Sequence, residues 1–585
     1  NELHHLGVHR AGQAERHPAS CHEYGSGNRG ARERAVETRN ADGRRQPPGH
    51  RVFPNRSAAE LKKISWRDSL PTKTVRGIKR DGTAHTEKKK ARCVVCGNFQ
   101  PKSPHEDLYT ASADITSVRA VLAASVGQRH NVKVIDVKTA FLNAALPESF
   151  ETVYARPPQA LVDFGLVEPG TVWRVLKAIY GLRVNPKAWG VERDRELQNM
   201  QLKVKGQTYV FEQSAIDPSV WVIVRGPPCA RTRTPIVSKD AGVIDAIGYI
   251  VVYVDDFAVF GTDPVIDAVT ATLAAKWKLS EKPAVKFGSG SMVEYLSVEI
   301  SAVPDGWHLS QATYLNDLLL KTSMHECRPI GSLEDVEEND SQDYEDKDPP
   351  LAEVRKAQKL AGGLNWLATR ARPDIAFVVS QISSAATRAP QRALALGKKC
   401  LRYLAGTKDH GMDLTNPYHS QGSGWRSEDP IIEGLGDASY EEGYGQTGAV
   451  IKYMGMTIFW KSCKQVQVPR STAEAECTAM AYSAQFVEGL TALFNDMRVH
   501  VGIPKLYCDN RAAVHLSAGS GEWRTKALVN RVWGVRSLFE LGLISVSFLP
   551  TADMQADSLT KFMGAKVLKR QRDLVGCTAC SHNVR

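Results

Sequence analysis

The sequence predicts a multidomain chain of α+β and α/β architecture, and three observations carry that reading. First, two apolar runs rich in β-branched and aromatic residues flank an Asp-Asp pair within residues 250–261, the pattern of a buried β-hairpin. Second, a dense acidic run at residues 333–349 ends in Pro349-Pro350 and separates two patterned halves. Third, from Gly434 three strand-like runs precede a long helical pattern and a further strand, as in a layered α+β or α/β domain. At 585 residues the chain is long enough for two to four domains.

Composition narrows the class. Hydrophobic content of 42% and charged content of 24% are those of a globular protein. No apolar run reaches the 18 or so residues of a membrane span, and the polar start has no signal-peptide pattern. Asn1 stands where an initiating Met would, so the sequence reads as a piece of something longer. The net charge of +11 sits in the first hundred residues, a segment suited to phosphate backbones or simply to a solvated tail. Eleven scattered cysteines form no framework and suggest a reducing, intracellular setting. Cys93-x-x-Cys96 and Cys577-x-x-Cys580 each have half the spacing of a zinc site but lack partners nearby, so no structural zinc is expected.

Taken in order, residues 1–65 are polar, rich in Arg, Gly and Pro, and read as mostly disordered. A basic stretch follows, with Lys73, Arg76, Lys79, Arg80 and then Lys88-Lys89-Lys90-Ala91-Arg92, and Asp81-Gly82 suggests a hairpin turn within it. Residues 116–126 repeat apolar positions at helical spacing and lead into an apolar strand ending in Asp136. The Asp255-Asp256 pair fits a two-residue hairpin turn. Asp-Asp is also an ordinary turn sequence. The third carboxylate changes the reading, because a strand ending in Asp beside a hairpin carrying Asp-Asp would converge three acids. Such a cluster near low dielectric needs cations, and Mg²⁺ prefers carboxylate oxygens. Three carboxylates around two metals suit phosphoryl transfer.

Tyr253-Val254-Asp255-Asp256 and the box from Asp136 to Asn143 resemble those of reverse transcriptases of copia-type retrotransposons. The resemblance implies a palm and fingers built on a mixed sheet backed by helices. It implies that Lys90 and Arg92 approach the triphosphate, and that Phe141 lies under the sugar and excludes ribonucleotides. Residues 173–189 resemble the next box, which implies that Tyr180, Gly181 and Arg183 sit near nucleotide or template. Here Arg183-Val184-Asn185-Pro186 stands where the family usually has Lys-Gln-Ala-Pro. Residues 263–279 read as an amphipathic helix. Glu294 to Ile300 resembles the hairpin that holds the primer, with Ser297 for the usual glycine. Residues 351–408 read as helical, and Leu401 to Thr407 resembles the family's connection segment.

In the second half, strands are expected around residues 432–439, 448–454, 456–462 and 505–508, with a long helix over 472–497. Asp437 ends the first strand, Glu476 lies early on the helix, Asp509 follows the fourth strand, and Asp557 starts the last helix. This order resembles ribonuclease H, whose Asp-Glu-Asp-Asp set holds two metals that cleave the RNA of an RNA–DNA hybrid. Glu474 and Glu476, two apart, do not share a helix face; the family pattern selects Glu476, leaving Glu474 to the helix start. Arg524-Thr525-Lys526 resembles a backbone contact, followed here by Ala527 where His is common.

The resulting domain reading is 1–65 basic segment, 66–325 fingers and palm, 326–350 acidic linker, 351–428 helical connection, 429–565 ribonuclease H-like domain and 566–585 tail. The resemblance implies an RNA-directed DNA polymerase with ribonuclease H activity and two Mg²⁺ or Mn²⁺ ions per site. Its partners would be an RNA template, a DNA primer, RNA–DNA hybrid and deoxynucleoside triphosphates. It would work inside the cell, in a virus-like particle or the nucleus. The departures at Val184, Asn185, Ser297 and Ala527 leave open a decayed or co-opted copy that binds nucleic acid without catalysis.

Overall fold

Seven strands build the sheet that carries Asp136 and the Asp-Asp hairpin: β3 (Asn131–Val137), β6 (Gln201–Val204), β7 (Gln207–Gln213), β8 (Val220–Arg225), β9 (Ala246–Tyr253), β10 (Asp256–Gly261) and β11 (Leu279–Glu281). Their order is β11-β3-β10-β9-β8-β7-β6. In this computed structural model the described residues are 69–80, 87–101, 108–146, 150, 152–226, 246–336, 348–415, 431–441, 443–519 and 526–580. The N-terminal segment 1–65, the Asp81-Gly82 turn, most of the acidic run and Arg524-Thr525 lie outside them.

Every pairing in the seven-stranded sheet is antiparallel, which corrects the expected mixed sheet. Four successive connections from β6 to β10 join neighbours directly, and only antiparallel neighbours permit that. Alternation explains why β9 reads as unbroken apolar sequence. Ile250 and Val252 enter a core with Trp189, Leu197, Val269 and Leu273 from helices α2 (Asn185–Asn199) and α3 (Asp263–Lys276). Tyr249 and Val251 enter the opposite core, with Val118, Val121 and Leu122 of helix α1 (Ile115–Gln128). Both faces are covered, so polar residues have no side to occupy. Leu279, expected in a helix, instead opens β11, since α3 ends at Lys276.

Strands β1 (Thr72–Arg80) and β2 (Glu87–Val95) form a separate antiparallel pair, as do the short β4 (Tyr154–Ala155) and β5 (Trp173–Arg174). A second sheet orders β12 (Met292–Tyr295), β13 (Val298–Val303), β14 (Gly306–Ser310), β15 (His410–Thr415) and β21 (Cys577–Ala579). The β12–β13 turn places Leu296 at φ 53 and Ser297 at φ 60. Both central residues are left-handed, as the favoured two-residue hairpin requires, without the glycine that makes it easy. Helices α4 (Ala312–Lys321), α5 (Leu351–Arg370), α6 (Ala376–Ala385) and α7 (Pro390–Ala405) pack a third core.

The third sheet orders β18 (Met456–Lys464), β17 (Tyr444–Tyr453), β16 (Ile432–Glu441), β19 (Lys505–Cys508) and β20 (Ser545–Phe548). Its first three strands are antiparallel, and β19 and β20 join in parallel. Helix α8 (Thr472–Asp496) crosses it, followed by α9 (Arg511–Ala518) and α10 (Lys526–Glu540). Two expectations change here. Asp557 lies in a 3-10 turn, Gln555–Leu559, not at the start of the last helix. The span expected as a tail folds into helix α11 (Ala565–Leu574) and edge strand β21, which pairs with β15. Of the expected linker, Leu333 pairs with Met563 and Asp335 bridges Arg392 at 2.8 Å, so its described part is anchored. Among the described residues no helix is long and apolar enough to cross a membrane.

Candidate active site

The hairpin turn falls one residue earlier than its chemistry suggests. Asp256 pairs with Tyr253, so Val254 and Asp255 form the turn and Asp256 is already in strand. Val254 adopts φ 54, costly for a β-branched side chain. Its carbonyl accepts from the buried Trp189 Nε1 at 2.7 Å and from Arg193 Nη1 at 3.3 Å, both on α2, which holds the strained turn. The Asp255 carbonyl accepts from Val137 N at 3.0 Å, tying the turn to β3.

On the other side, β10 lies against β3 with Asp256 directly opposite Asp136. Directly opposed side chains have their Cβ atoms about 5 Å apart, and like charges there repel. Burial pushes the Asp256 carboxyl up to about 6, reinforced by Asp255 and Asp136 and only partly offset by Lys282. Asp255 is raised as well, by burial first and Asp136 next, with Arg92 and Lys90 pulling the other way. The basic strand β2 therefore faces the acids. A cavity of about 520 Å³ separates them, lined among others by Lys90, Arg92, Asp136, Thr139, Tyr180 and Asp255.

Tyr180 and Phe141 form a T-shaped pair with centroids 5.6 Å apart, and the Arg92 guanidinium stands 5.1 Å over the Tyr180 ring. Gly181 has φ 98, and a Cβ there would collide with the Val95 carbonyl oxygen. With Val95 N donating to Tyr180 O at 2.8 Å, this close approach stitches β2 to the 180–182 segment and brings Lys90 and Arg92 to the acids. Arg183 is held on the neighbouring loop. Its guanidinium is engaged with the Gln100 and Pro101 carbonyls, and it is not among the cavity's lining residues. Its cluster of basic and aromatic neighbours in sequence gave no sign of that loop. Asn185, at the family departure, donates its buried amide to the Ile179 carbonyl, while Val184 packs beside Val95 and Leu182. Thr139, missed in the sequence, lines the cavity at φ 55.

A second carboxylate centre lies on the third sheet. Asp437 on β16 is buried and accepts from Thr560 Oγ1 at 2.7 Å. Glu476, one turn into α8, is buried and receives the Cys508 thiol at 3.8 Å. Ligand atoms of Glu476, Cys508 and Asp509 all lie within 4.8 Å of one another. Thr551 Oγ1 donates to Asp509 at 2.8 Å, and Lys561 pairs with Asp557. Gly448 explains how the Asp557 turn reaches the sheet, because a Cβ there would lie 2.6 Å from Ala556 O. Burial raises Asp437 and Glu476, and both feel Asp509. Asp557 adds to the shift on Asp437, and Asp437 to that on Glu476. The four predicted acids are thus one electrostatic group.

Glu474 sits apart from that group. It accepts from Arg470 N at 2.8 Å, its own N–H donates to Ser471 Oγ at 3.2 Å, and it pairs with Arg531 at 3.2 Å. Ser471 thus caps the helix start, and the Glu474 carboxylate takes the N–H of Arg470, the residue before that cap. Cys508 and Thr560 went unnoticed in the sequence, and only their adjacency to Asp509 and Asp557 could have pointed to them. Both centres offer chiefly carboxylate oxygens, and burial raises the proton affinity of Asp255 and Asp256 in the first and of Asp437, Glu476 and Asp557 in the second. That donor set fits a hard divalent cation such as Mg²⁺ or Mn²⁺.

The model of the family "Reverse transcriptase (RNA-dependent DNA polymerase)" matches residues 61–211. The Retrovirus-related Pol polyprotein from transposon RE1 of Arabidopsis thaliana is 29% identical over 84% of this chain and 30% of its own length. That from transposon RE2 is 30% identical over 81% of this chain and 29% of its own length. That from transposon TNT 1-94 of Nicotiana tabacum is 25% identical over 87% and 35%. The chain thus spans about a third of the curated relatives it matches. A foamy viral protease-reverse transcriptase solved in complex with ds DNA is similar at a TM-score of 0.41 and 12% identity, over 82% of this chain and 65% of that one. Asp136, Phe141 and Tyr180 fall inside the matched span, so residues 61–211 match the reverse transcriptase family, and most of the chain is similar to Pol polyproteins of copia-type retrotransposons.

Proposed function

We propose that this chain copies RNA into DNA and cleaves the RNA strand of the hybrid it makes. One observation carries the reading: Asp136 and Asp255 line one side of a cavity whose other side is the basic strand β2, with Asp256 directly opposite Asp136 on the adjoining strand. Its substrates are deoxynucleoside triphosphates on an RNA template with a DNA primer, in an intracellular setting such as a virus-like particle or the nucleus.

Asp136, Asp255 and Asp256 would hold Mg²⁺ or Mn²⁺, two ions to the site, supplying charge neutralisation at the phosphoryl oxygens and a more acidic primer hydroxyl. Lys90 and Arg92 offset the triphosphate charge from the far wall. The Tyr180–Phe141 pair forms the floor under the sugar, where an added 2′-hydroxyl would meet a ring. The bond formed joins the primer 3′-oxygen to the α-phosphorus, and pyrophosphate leaves. Gly181 and Arg183 act indirectly, the first by admitting β2 and the second by fixing the loop at Gln100 and Pro101.

At the second centre, Asp437, Glu476, Asp509 and Asp557 are the equivalent donors, and a water-derived oxygen replaces the ribose 3′-oxygen at the scissile phosphorus. Primer extension on RNA, with Asp255→Asn as control, tests the first activity. Cleavage of a short labelled hybrid, with Asp437→Asn as control, tests the second. A folded, hybrid-binding chain inert in both would establish the decayed copy instead.

A further inference from the structure

Helix α8 carries an active-site carboxylate near one end and an inter-module contact at the other, and helix α1 carries an inter-module contact and is followed by the strand that holds Asp136. Helix α1 runs through Arg119 and leads directly into β3 and Asp136. Arg119 is buried, and its guanidinium lies 3.7 Å over the Trp460 ring on β18. It donates to the Ile458 carbonyl at 3.2 Å and the Arg370 carbonyl at 3.0 Å, and also to the Thr369 carbonyl. Trp460 Nε1 in turn donates to Ala368 O at 2.6 Å. One cation therefore joins the palm, the C-terminus of α5, where a positive charge is favoured, and the sheet of the second centre.

The second element is α8. Glu476 lies near its start and Asp496 at its end, about 30 Å away at 1.5 Å per residue. Asp496 accepts from Ala215 N at 2.7 Å and from Ser214 Oγ, just after β7 of the palm. Arg498 donates to both oxygens of Glu212 on β7 at 3.0 Å. Between the two contacts the apolar core is continuous, joining Val121 and Tyr249 of the palm to Trp460, Val487 and Phe494.

We propose that Arg119 and the Glu212–Arg498 and Ser214–Asp496 contacts are positioning residues that hold the two carboxylate centres at one separation, so that the RNA strand is cut at one distance behind the primer terminus. This rests on the functional reading above. The physical argument is leverage: a duplex advances about 3.4 Å per base pair, so slack of a few ångströms between the modules moves the cut by a nucleotide or more.

The test maps cut positions on end-labelled RNA template with the full chain stalled at a defined primer end. The expected wild-type pattern is one dominant position. Glu212→Arg sets two cations against each other and is expected to spread the cuts over several positions. Primer extension and cleavage of a short hybrid should stay within twofold. Glu212→Arg combined with Arg498→Glu restores the pair and should restore the single position, which a merely destabilising change would not do. Arg119→Met should spread the cuts further, and the partly exposed Glu212–Arg498 swap keeps the test decisive if that buried change fails to fold. Wild type inert in extension and short-hybrid cleavage would overturn the functional reading itself. Wild type active in both, with cuts already scattered or unmoved by Glu212→Arg and Arg119→Met, would overturn the positioning inference alone.

Discussion

Asp136 and Asp256 stand directly opposite each other on β3 and β10, two like charges facing across one antiparallel pair. Such a pair is destabilising on its own, and a folded chain retains it because something else compensates when the site works. Asp256→Asn keeps the shape and removes one charge. In EDTA at pH 7 it is expected to raise unfolding stability by about 1 kcal/mol, kept small because both groups are partly exposed. Extension should be lost in the same variant. Urea unfolding beside primer extension checks both, and an unchanged or lowered stability would contradict the repulsion.

Phe141 is expected to set sugar selectivity through its ring and its edge contact with Tyr180. Phe141→Ala should raise the ratio of ribonucleotide to deoxynucleotide kcat/KM by roughly tenfold or more, the scale of a relieved steric exclusion. Steady-state single-nucleotide incorporation with each substrate measures that ratio.

Gly448→Ala separates the two activities. The added methyl would press on Ala556 O and Thr560, displacing the turn that carries Asp557. Hybrid cleavage is expected to fall by roughly tenfold or more, the cost of a reactive group misplaced by about 1 Å, while primer extension is unchanged.

The neighbouring glutamates give a sharper contrast. Glu476→Gln should abolish hybrid cleavage. Glu474→Ala should leave cleavage in place and cost about 1 kcal/mol, the usual value of a lost helix cap. Measuring activity and urea unfolding on both variants distinguishes site from cap.

His130 gives the pH dependence. It is 3% exposed, its ring 6.0 Å from that of Tyr249, and burial pushes its pKa down to about 4. A base with a lowered folded pKa binds fewer protons folded than unfolded. Its contribution is complete above its unfolded value and is lost as pH falls through about 4. Between pH 7 and 4.5 wild type should lose on the order of 2 kcal/mol more than His130→Leu. Urea unfolding at the two pH values checks this.

Period and chemistry made much of the architecture legible. The meander over 432–464 and helix α8 appear close to where apolar alternation places them. The Asp-Asp turn slipped by one residue because Val254 is a poor choice for positive φ, and hydrogen bonds from Trp189 and Arg193, 65 and 61 residues away, help hold it there. Strand β21 was invisible because its signal lies in its partner β15, not in its own three residues. Arg119 could not be singled out for the same reason, since its partners lie 250 to 339 residues downstream.

The most direct test of the central claim is single-nucleotide incorporation on an RNA template with Mg²⁺, comparing wild type with Asp136→Asn and Asp255→Asn. The expected result is incorporation by wild type and loss of at least about a thousandfold in either variant, roughly 4 kcal/mol of transition-state stabilisation. Incorporation that survives either substitution, or a folded wild type that binds primer–template and adds nothing, would contradict it.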